Sequence, residues 1–346
     1  MLKYLRWLLL PFSWLYGSII LIRNWCYDAG IFKISSFDIP VISVGNLDVG
    51  GAGKSPMTEY LIRLLKGGHK LATLSRGYGR KTKGYLTATA TTTAIGVGDE
   101  PAQFKQKFPD ITVAVCEKRA DGISRLKTDH DLIVLDDAYQ HRAVKPGLSI
   151  LLFDYNRINE PHFMLPAGNL REPFGGRKRA DILVVSKCPA GITEAERNRV
   201  KKRIHPLGHQ SLFFTSINYG PLQNDEGKPS TAVLDVYTTV FLLTGIANPN
   251  PLLKHLQGQV KQVIHHNYGD HHQFSLKNIT KLADEFKACT ADKKLIITTE
   301  KDIQRLREHE LLPLVKQLHF LVIPIQVQFL AGGQTAFDNL IKNYVR

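Results

Sequence analysis

The sequence predicts an α/β protein: two α/β/α lobes of the P-loop, doubly wound kind, joined by a two-stranded β-ribbon and preceded by an apolar, membrane-anchoring helix. Three observations carry this. Short apolar runs alternate with helical patterns from residue 39 onward, a smaller alternation begins after a Pro/Gly-rich break at 205–235, and residues 7–22 hold no charge. Short continuous apolar runs suit parallel strands buried on both faces, and their alternation with helices marks a doubly wound sheet.

With 346 residues the chain has room for two cores, and its 43% hydrophobic and 22% charged content is that of a folded globular protein. A net charge of +14 implies anionic partners: nucleic acid, phosphorylated small molecules or an anionic lipid surface. Cys26, Cys116, Cys188 and Cys289 form no C-x-x-C pair. That spacing suits a reducing compartment and argues against a disulfide framework or a zinc ribbon.

The first element is the uncharged run, with Lys3 and Arg6 before it and Arg23 after it. It is shorter than the roughly 20 residues a spanning helix needs, Pro11 would kink such a helix, and no small-residue cleavage site follows. Trp7, Trp14, Tyr16 and Trp25 favour the headgroup boundary. The expectation is an interfacial anchor over 1–26, against the alternative of a helix packed on the protein's own core.

Next comes the segment around which the chain is organised. The apolar run 39–44 meets a glycine turn ending in Gly50-Gly51-Ala52-Gly53-Lys54-Ser55-Pro56, after which Met57, Tyr60, Leu61, Leu64 and Leu65 recur at helical spacing. Strand, glycine turn, Gly-Lys-Ser and helix form a phosphate-binding P-loop in its required context. Backbone amides and the positive helix end face an anion, Lys54 adds a charge for the β/γ-phosphates, and the Ser55 hydroxyl reaches Mg²⁺. Asp48 stands where the usual pattern has its first glycine.

Strands are then expected at 70–75, 111–115, 132–135, 148–153 and 182–185, with a basic glycine loop at 76–81. The first lobe takes 27–211 and 331–346, the ribbon 212–234 and 320–330, and the smaller lobe 235–319. In that smaller lobe, strands are expected at 240–244, 260–264 and 294–298 and a helix over 276–288, while 336–344 closes the first lobe as a helix.

Asp136 and Asp137 end an apolar strand, as a Walker B carboxylate beside a P-loop must to hold Mg²⁺. Asp99 and Glu100, in Gly98-Asp99-Glu100-Pro101, read locally as helix-capping residues. His265, His266, His271 and His272 supply imidazole that could bind a metal, though their spacing gives that little support, or that serves acid–base work beside Asp270. Arg76, Arg80, Lys81, Arg119, Arg171 and Arg177–Arg179 gather in loops at strand ends, suited to phosphate or lipid headgroups.

Eight strings then occur in one order: Gly-Gly-x-Gly-Lys-Ser-Pro (50–56), Ser-Arg-Gly-Tyr-Gly (75–79), Gly-Asp-Glu-Pro (98–101), Asp-Asp-x-x-Gln-His (136–141), Pro-Ala-Gly-x-Leu-Arg-Glu-Pro (166–173), Thr-Gly-Ile-Ala-Asn-Pro (244–249), Asp-His-His-x-Phe (270–274) and Thr-Glu-Lys-Asp (299–302). Together they resemble the tetraacyldisaccharide 4′-kinase family of lipid A biosynthesis over nearly the whole chain. The resemblance implies a kinase at the cytoplasmic face of the bacterial inner membrane, peripheral or monotopic, with ATP and Mg²⁺ as cofactors. It would phosphorylate the 4′-hydroxyl of an acylated glucosamine disaccharide 1-phosphate, with an active site in the cleft between two lobes. It moves Asp99 from capping to general base, aided by His271, and places Lys54 and Ser55 on nucleotide and metal with Asp136 or Asp137. Arg76, Glu100, Arg119, Gln140, His141, Arg171 and Glu172 match family positions near that cleft. Ala138-Tyr139 departs from the usual Gly-Phe, and Ser55 from the commoner Thr.

A competing reading is a membrane-docked P-loop ATPase switch with no phosphoryl acceptor. Its partition-type members carry a Lys where this chain has Val49, and lack an Asp-His-His segment. Nucleic acid is not expected as a partner: no basic–aromatic recognition motif accompanies the charge.

Overall fold

The computed structural model describes residues 6–346; Lys3 lies outside them. The chain divides into two compact units. The first takes the chain up to Arg76, then Ile111–Asn218 and Val327–Arg346; the second takes Gly77–Asp110 and Tyr219–Gln326.

In the first unit the sheet strands run in the order Ile325–Phe329, Ser211–Tyr219, Ile182–Ser186, Leu148–Asp154, Val41–Asn46, Leu132–Asp136, Leu71–Ser75, Thr112–Val115. From the central strand Val41–Asn46 the chain winds to one side, returns through Leu132–Asp136 alongside it, and continues to the other side. The pairs from Thr112–Val115 across to Ser211–Tyr219 are parallel, with Val44 opposite Asp136 and Asn46 opposite Leu152. Their carboxyl ends therefore gather at one edge beside the point where the winding reverses, which is where open α/β sheets bind ligands. Every residue of Val41–Asn46, Leu71–Ser75, Leu132–Asp136 and Ile182–Ser186 is buried, as the unbroken apolar runs demand. The last helix, Gly333–Val345, buries Phe337, Ile341 and Val345, and its Tyr344 hydroxyl bonds the Val41 backbone.

The N-terminal helix spans Leu10–Asp28. Pro11 falls in its first turn, where its missing N–H has no intrahelical partner to lose. One face docks through polar bonds: Arg6 donates to Pro166 O and Gly168 O, the Ser13 hydroxyl accepts from the Ala167 N–H at 2.9 Å, and the Tyr16 hydroxyl donates to Arg171 O at 2.9 Å. Arg23 donates to Gln140 O, and Arg142 reaches back to Asn24 O and Asp28. The other face leaves Phe12, Trp14, Leu15, Ile19, Ile22 and Trp25 exposed, Trp14 at 73%. Among the described residues no helix is long and apolar enough to cross a membrane.

The second unit has a sheet ordered Gln262–Asn267, Thr238–Thr244, Lys293–Thr299, Leu321–Ile323, Gln223–Asn224, parallel except for the last pair. Helix Leu276–Ala288 has the predicted bounds, and Ser275 and Asn278 close a reciprocal cap at its start.

Two boundaries differ from expectation. The run 320–330 is not one ribbon strand: Pro324, with no N–H to give a ladder, divides it, so that Leu321–Ile323 joins the second unit's sheet and Ile325–Phe329 lies beside Ser211–Tyr219. Residues 77–110, expected in the P-loop lobe, belong to the second unit. The cause lies in side chains: helix Asp99–Lys107 is laced to helix Glu300–Leu306 by Lys107–Glu300, Lys301–Glu100 and Gln304–Gln106 bonds.

Candidate active site

The first unit carries the glycine turn and the helix that follows it. Strand Val41–Asn46 leads into the glycine turn, and Gly53, in the left-handed region at φ +84°, starts helix Lys54–Leu65 with no side chain capping it. The amides of the first turn are thus presented to an anion, with the helix dipole behind them. Gly45 is required by close approach, since a Cβ there would lie 2.6 Å from the Tyr139 Cβ. Arg157 braces the turn from below by donating to Val49 O at 2.7 Å. Burial pushes the Asp48 carboxyl up, with Arg157 pulling the other way.

Lys54 Nζ donates to Asn46 Oδ1 at 3.0 Å and lies 3.7 Å from Asp137 Oδ1. Arg171 clamps Asp137 through both Nη atoms, at 2.7 and 3.2 Å, and donates to Asn46 Oδ1. Burial pushes the Asp137 carboxyl up, but Lys54, Arg171 and Arg119 outweigh it and hold the group below the usual carboxylate range. Asp136, buried at the end of its strand, accepts from the Thr58 hydroxyl at 2.9 Å. Gln140 Nε2 donates to Asn46 O and also reaches Glu172, whose carboxylate is held by Arg179 at 2.9 Å on both oxygens. Arg119 is buried; burial pushes it down to about 10, with Asp137 pulling the other way. His141 is pushed down to about 4 by burial, with Arg119, Arg23 and Arg76 adding to it. Arg76 itself is exposed.

In this unit the structure gathers Lys54, Asp136, Asp137, Gln140, Arg171 and Glu172 about one strand end. Asn46 joins three of them, Lys54, Gln140 and Arg171, yet sequence reasoning passed over it. An Asn ending a buried strand is a usable signal, because a fully buried amide must find partners. Thr58 was missed too, and one turn past Lys54 it has no distinguishing local pattern.

The second unit holds Asp99, Glu100 and His271. Gly77 and Gly98 adopt positive φ and pack backbone on backbone: a Cβ on Gly98 would meet Tyr78 O at 2.9 Å, and one on Gly77 would meet Val97 O at 2.8 Å. This contact seats the start of helix Asp99–Lys107. Asp99 does not cap that helix; Gly98 occupies the cap, and the Asp99 carboxylate turns to His271, whose Nδ1–H donates to Oδ2 at 2.9 Å. Glu100 is pushed up by burial but held down to about 2 by Lys301. His265, His266 and His272 pair separately with Thr244, Glu285 and Asn278, and among the described residues no group of three or more His, Cys, Asp or Glu could hold a metal.

The bond to Asp99 raises the His271 pKa against the opposing effect of burial. A raised histidine binds its proton more tightly folded than unfolded. Its contribution to stability is therefore complete below the unfolded value of about 6.5 and is lost as pH rises through the folded one. The Tm difference between wild type and His271→Gln is expected to shrink from about pH 6 to about pH 9; a difference that grows with pH would contradict the pairing.

The sequence matches the family model described as tetraacyldisaccharide-1-P 4′-kinase over residues 5–346. The tetraacyldisaccharide 4′-kinase of Phocaeicola vulgatus is 43% identical, the match covering all of this chain and 96% of that one. That of Flavobacterium psychrophilum is 44% identical over 99% of this chain and 98% of its own. The crystal structure of LpxK from Aquifex aeolicus in complex with ATP superposes with a TM-score of 0.73 at 28% identity, covering 99% of this chain and 100% of that one. The chain belongs to the tetraacyldisaccharide-1-P 4′-kinase family.

Proposed function

We propose that the two groups of residues divide one phosphoryl transfer between them. The chain is a tetraacyldisaccharide 4′-kinase of lipid A biosynthesis: the γ-phosphate of ATP goes to the 4′-hydroxyl of the acylated disaccharide 1-phosphate. In our reading the amides of 50–56 and Lys54 hold the triphosphate and Arg171 keeps Asp137 ionised beside Lys54. Asp99 takes the proton of the sugar hydroxyl, with His271 orienting the carboxylate. Arg76, Glu100, Arg119, Gln140, His141 and Glu172 complete the substrate surroundings.

Ser55 in the first helical turn and Asp136 at the adjacent strand end, both buried, offer only oxygen. That donor set fits Mg²⁺, which keeps several waters and binds through one or two protein oxygens plus phosphates. When bound, the ion would neutralise charge on the β- and γ-phosphates.

The observation that carries the kinase reading is the bond between the buried Asp99 and the half-buried His271. A switch ATPase needs a P-loop but no base for an alcohol acceptor. Purified protein given ATP, Mg²⁺ and acylated disaccharide 1-phosphate in detergent micelles should release ADP in proportion to phosphorylated lipid. ATP consumption indifferent to the lipid, with no phosphorylated product, would favour the switch.

The exposed face of helix Leu10–Asp28 we assign to the lipid surface, placing the enzyme peripherally on the inner membrane's cytoplasmic leaflet, where ATP is present and its four free cysteines stay reduced. The adjacent strands Ser211–Tyr219 and Ile325–Phe329 serve as the connecting ribbon in this reading. Trp14→Glu with Leu15→Glu and Ile22→Glu should abolish flotation with anionic vesicles and leave Tm near wild type, because the docking bonds use other residues. Deleting residues 1–23 is a poorer test, since it also strips Arg6, Ser13, Tyr16 and Arg23 from their partners. Undiminished flotation of the triple variant would refute the assignment.

A further inference from the structure

The Thr-Glu-Lys-Asp string at 299–302 leads to a residue the mechanism above does not use. Thr299 caps helix Glu300–Leu306 and donates to Asp302 Oδ2 at 2.6 Å. Glu300 takes Lys107 and the Ile325 N–H, and Lys301 takes Glu100. Three residues past Asp302 stands Arg305, 1% exposed and among the largest fully buried side chains. Its Nη1 donates to Gly245 O at 3.1 Å and to His272 O at 3.0 Å. Gly245 O also accepts from the His271 N–H at 3.0 Å. The guanidinium is thus fixed to the loop that carries His271. From that position Nε lies 3.2 Å from Asp99 Oδ2 and Nη2 lies 3.1 Å from Asp302 Oδ1. Neither N–H meets hydrogen-bond geometry, so both contacts act through charge. Gly245 leaves room for them: a Cβ there would lie 3.1 Å from Nη1 and 3.2 Å from Asp302 Oδ1.

We propose that Arg305 is a positioning residue for the phosphoryl transfer: it keeps the buried Asp99 ionised and aligned with His271, and Asp302, by sharing the guanidinium charge, keeps Asp99 basic enough to accept a proton. This rests on Asp99 being the proton acceptor. A carboxylate desolvated beside a second one does not stay ionised without a cation. A bidentate arginine would hold the charge but blunt the base, since proton acceptance weakens as the carboxylate is stabilised. Here the Nη1 bonds to two carbonyls prevent that geometry, and among the described residues both polar contacts of the Asp99 carboxylate fall on Oδ2. The other charged or titratable groups around the Asp99–His271 pair are Asp270, Glu100, Lys301, Asp302 and Tyr78, whose ring lies 5.5 Å from that of His271. Burial pushes the Asp302 carboxyl up, with Arg305 opposing and Asp99 adding to the rise, as two carboxylates sharing one cation require.

The test is the pH profile of kcat with ATP and acylated disaccharide 1-phosphate for the full chain and four variants. Arg305→Met should lose about tenfold or more in kcat near pH 7 and less, about threefold, near pH 9, with KM for ATP within about twofold. Arg305→Lys should keep the acid limb in place. Asp302→Asn, leaving the full charge on Asp99, should move the acid limb to lower pH and lower the plateau. A merely structural Arg305 would change the active fraction and leave the limb unmoved. If Arg305→Met does not fold, Arg305→Lys and Asp302→Asn carry the test, and an unmoved limb in Asp302→Asn overturns the proposal. Asp99→Asn separates the two ideas: an active Asp99→Asn defeats the base assignment itself, whereas an inactive one beside unmoved limbs defeats only the role of Arg305.

Discussion

Asp99→Asn is expected to lower kcat by about 10³-fold while KM for ATP stays within about twofold of wild type. The substitution is nearly isosteric and keeps an oxygen for the His271 Nδ1–H, so the pair keeps its shape. It loses the ability to take a proton. A sugar hydroxyl is a poor nucleophile, and a positioned base is typically worth about 10²–10⁴ in rate. ATP affinity is expected to persist because the proposed phosphate site, with Lys54, Asn46 and Arg171, lies wholly within the other unit. Steady-state kinetics at saturating lipid check this directly. Near wild-type turnover would remove Asp99 from the chemistry, and a matching rise in KM for ATP would mean that it serves nucleotide binding. His271→Ala should also reduce kcat more than it raises KM, since the carboxylate loses its aligning partner.

How much of this was legible in the sequence follows the range of the interactions. The P-loop was readable because strand, glycine turn and helix are contiguous and each has its own period. The bounds of Leu276–Ala288 were readable because Ser275 and Asn278 signal the start within one turn. Asp136 was placed by an apolar run that needs no partner to be recognised. What failed were assignments decided by distant side chains. Local spacing alone reads Asp99 as a cap, and only the family resemblance paired it with His271, 172 positions away. Residues 77–110 look like part of the first lobe until Lys301 and Glu300 are seen to grip Glu100 and Lys107. Arg305 carries no local mark, for it sits mid-helix in a charged stretch that reads as a solvated face and is buried instead. The N-terminal helix was legible as apolar, but not as docked, because its partners are backbone carbonyls and amides at 166–171. Hydrophobic patterning does not register those.

Lys54→Met should cost about 10²–10³ in kcat and weaken ATP binding as well, which sets it apart from Asp99→Asn. The side chain does two things at once. In the proposed mechanism its ammonium is the cation aimed at the phosphates, and with the helix dipole it would meet the charge that builds up as the γ-phosphoryl group leaves. It also stands 3.7 Å from Asp137 and leads the influences holding that carboxylate below its usual range. Without it, Asp137 retains only Arg171 nearby and Arg119 farther off, and the repulsion between Asp137 and the incoming triphosphate is no longer screened. Lys54→Arg should not rescue. The planar fork needs the side of Asn46 and Asp137 that Arg171 already occupies, with Nη2 on Asn46 Oδ1 at 2.5 Å and on Asp137 Oδ1 at 2.7 Å. Calorimetric ATP titration, run beside the lipid kinase assay, reads both losses. Wild-type affinity in Lys54→Met would mean that the backbone amides alone hold the triphosphate, and the charge assigned to this lysine would then belong to Arg171.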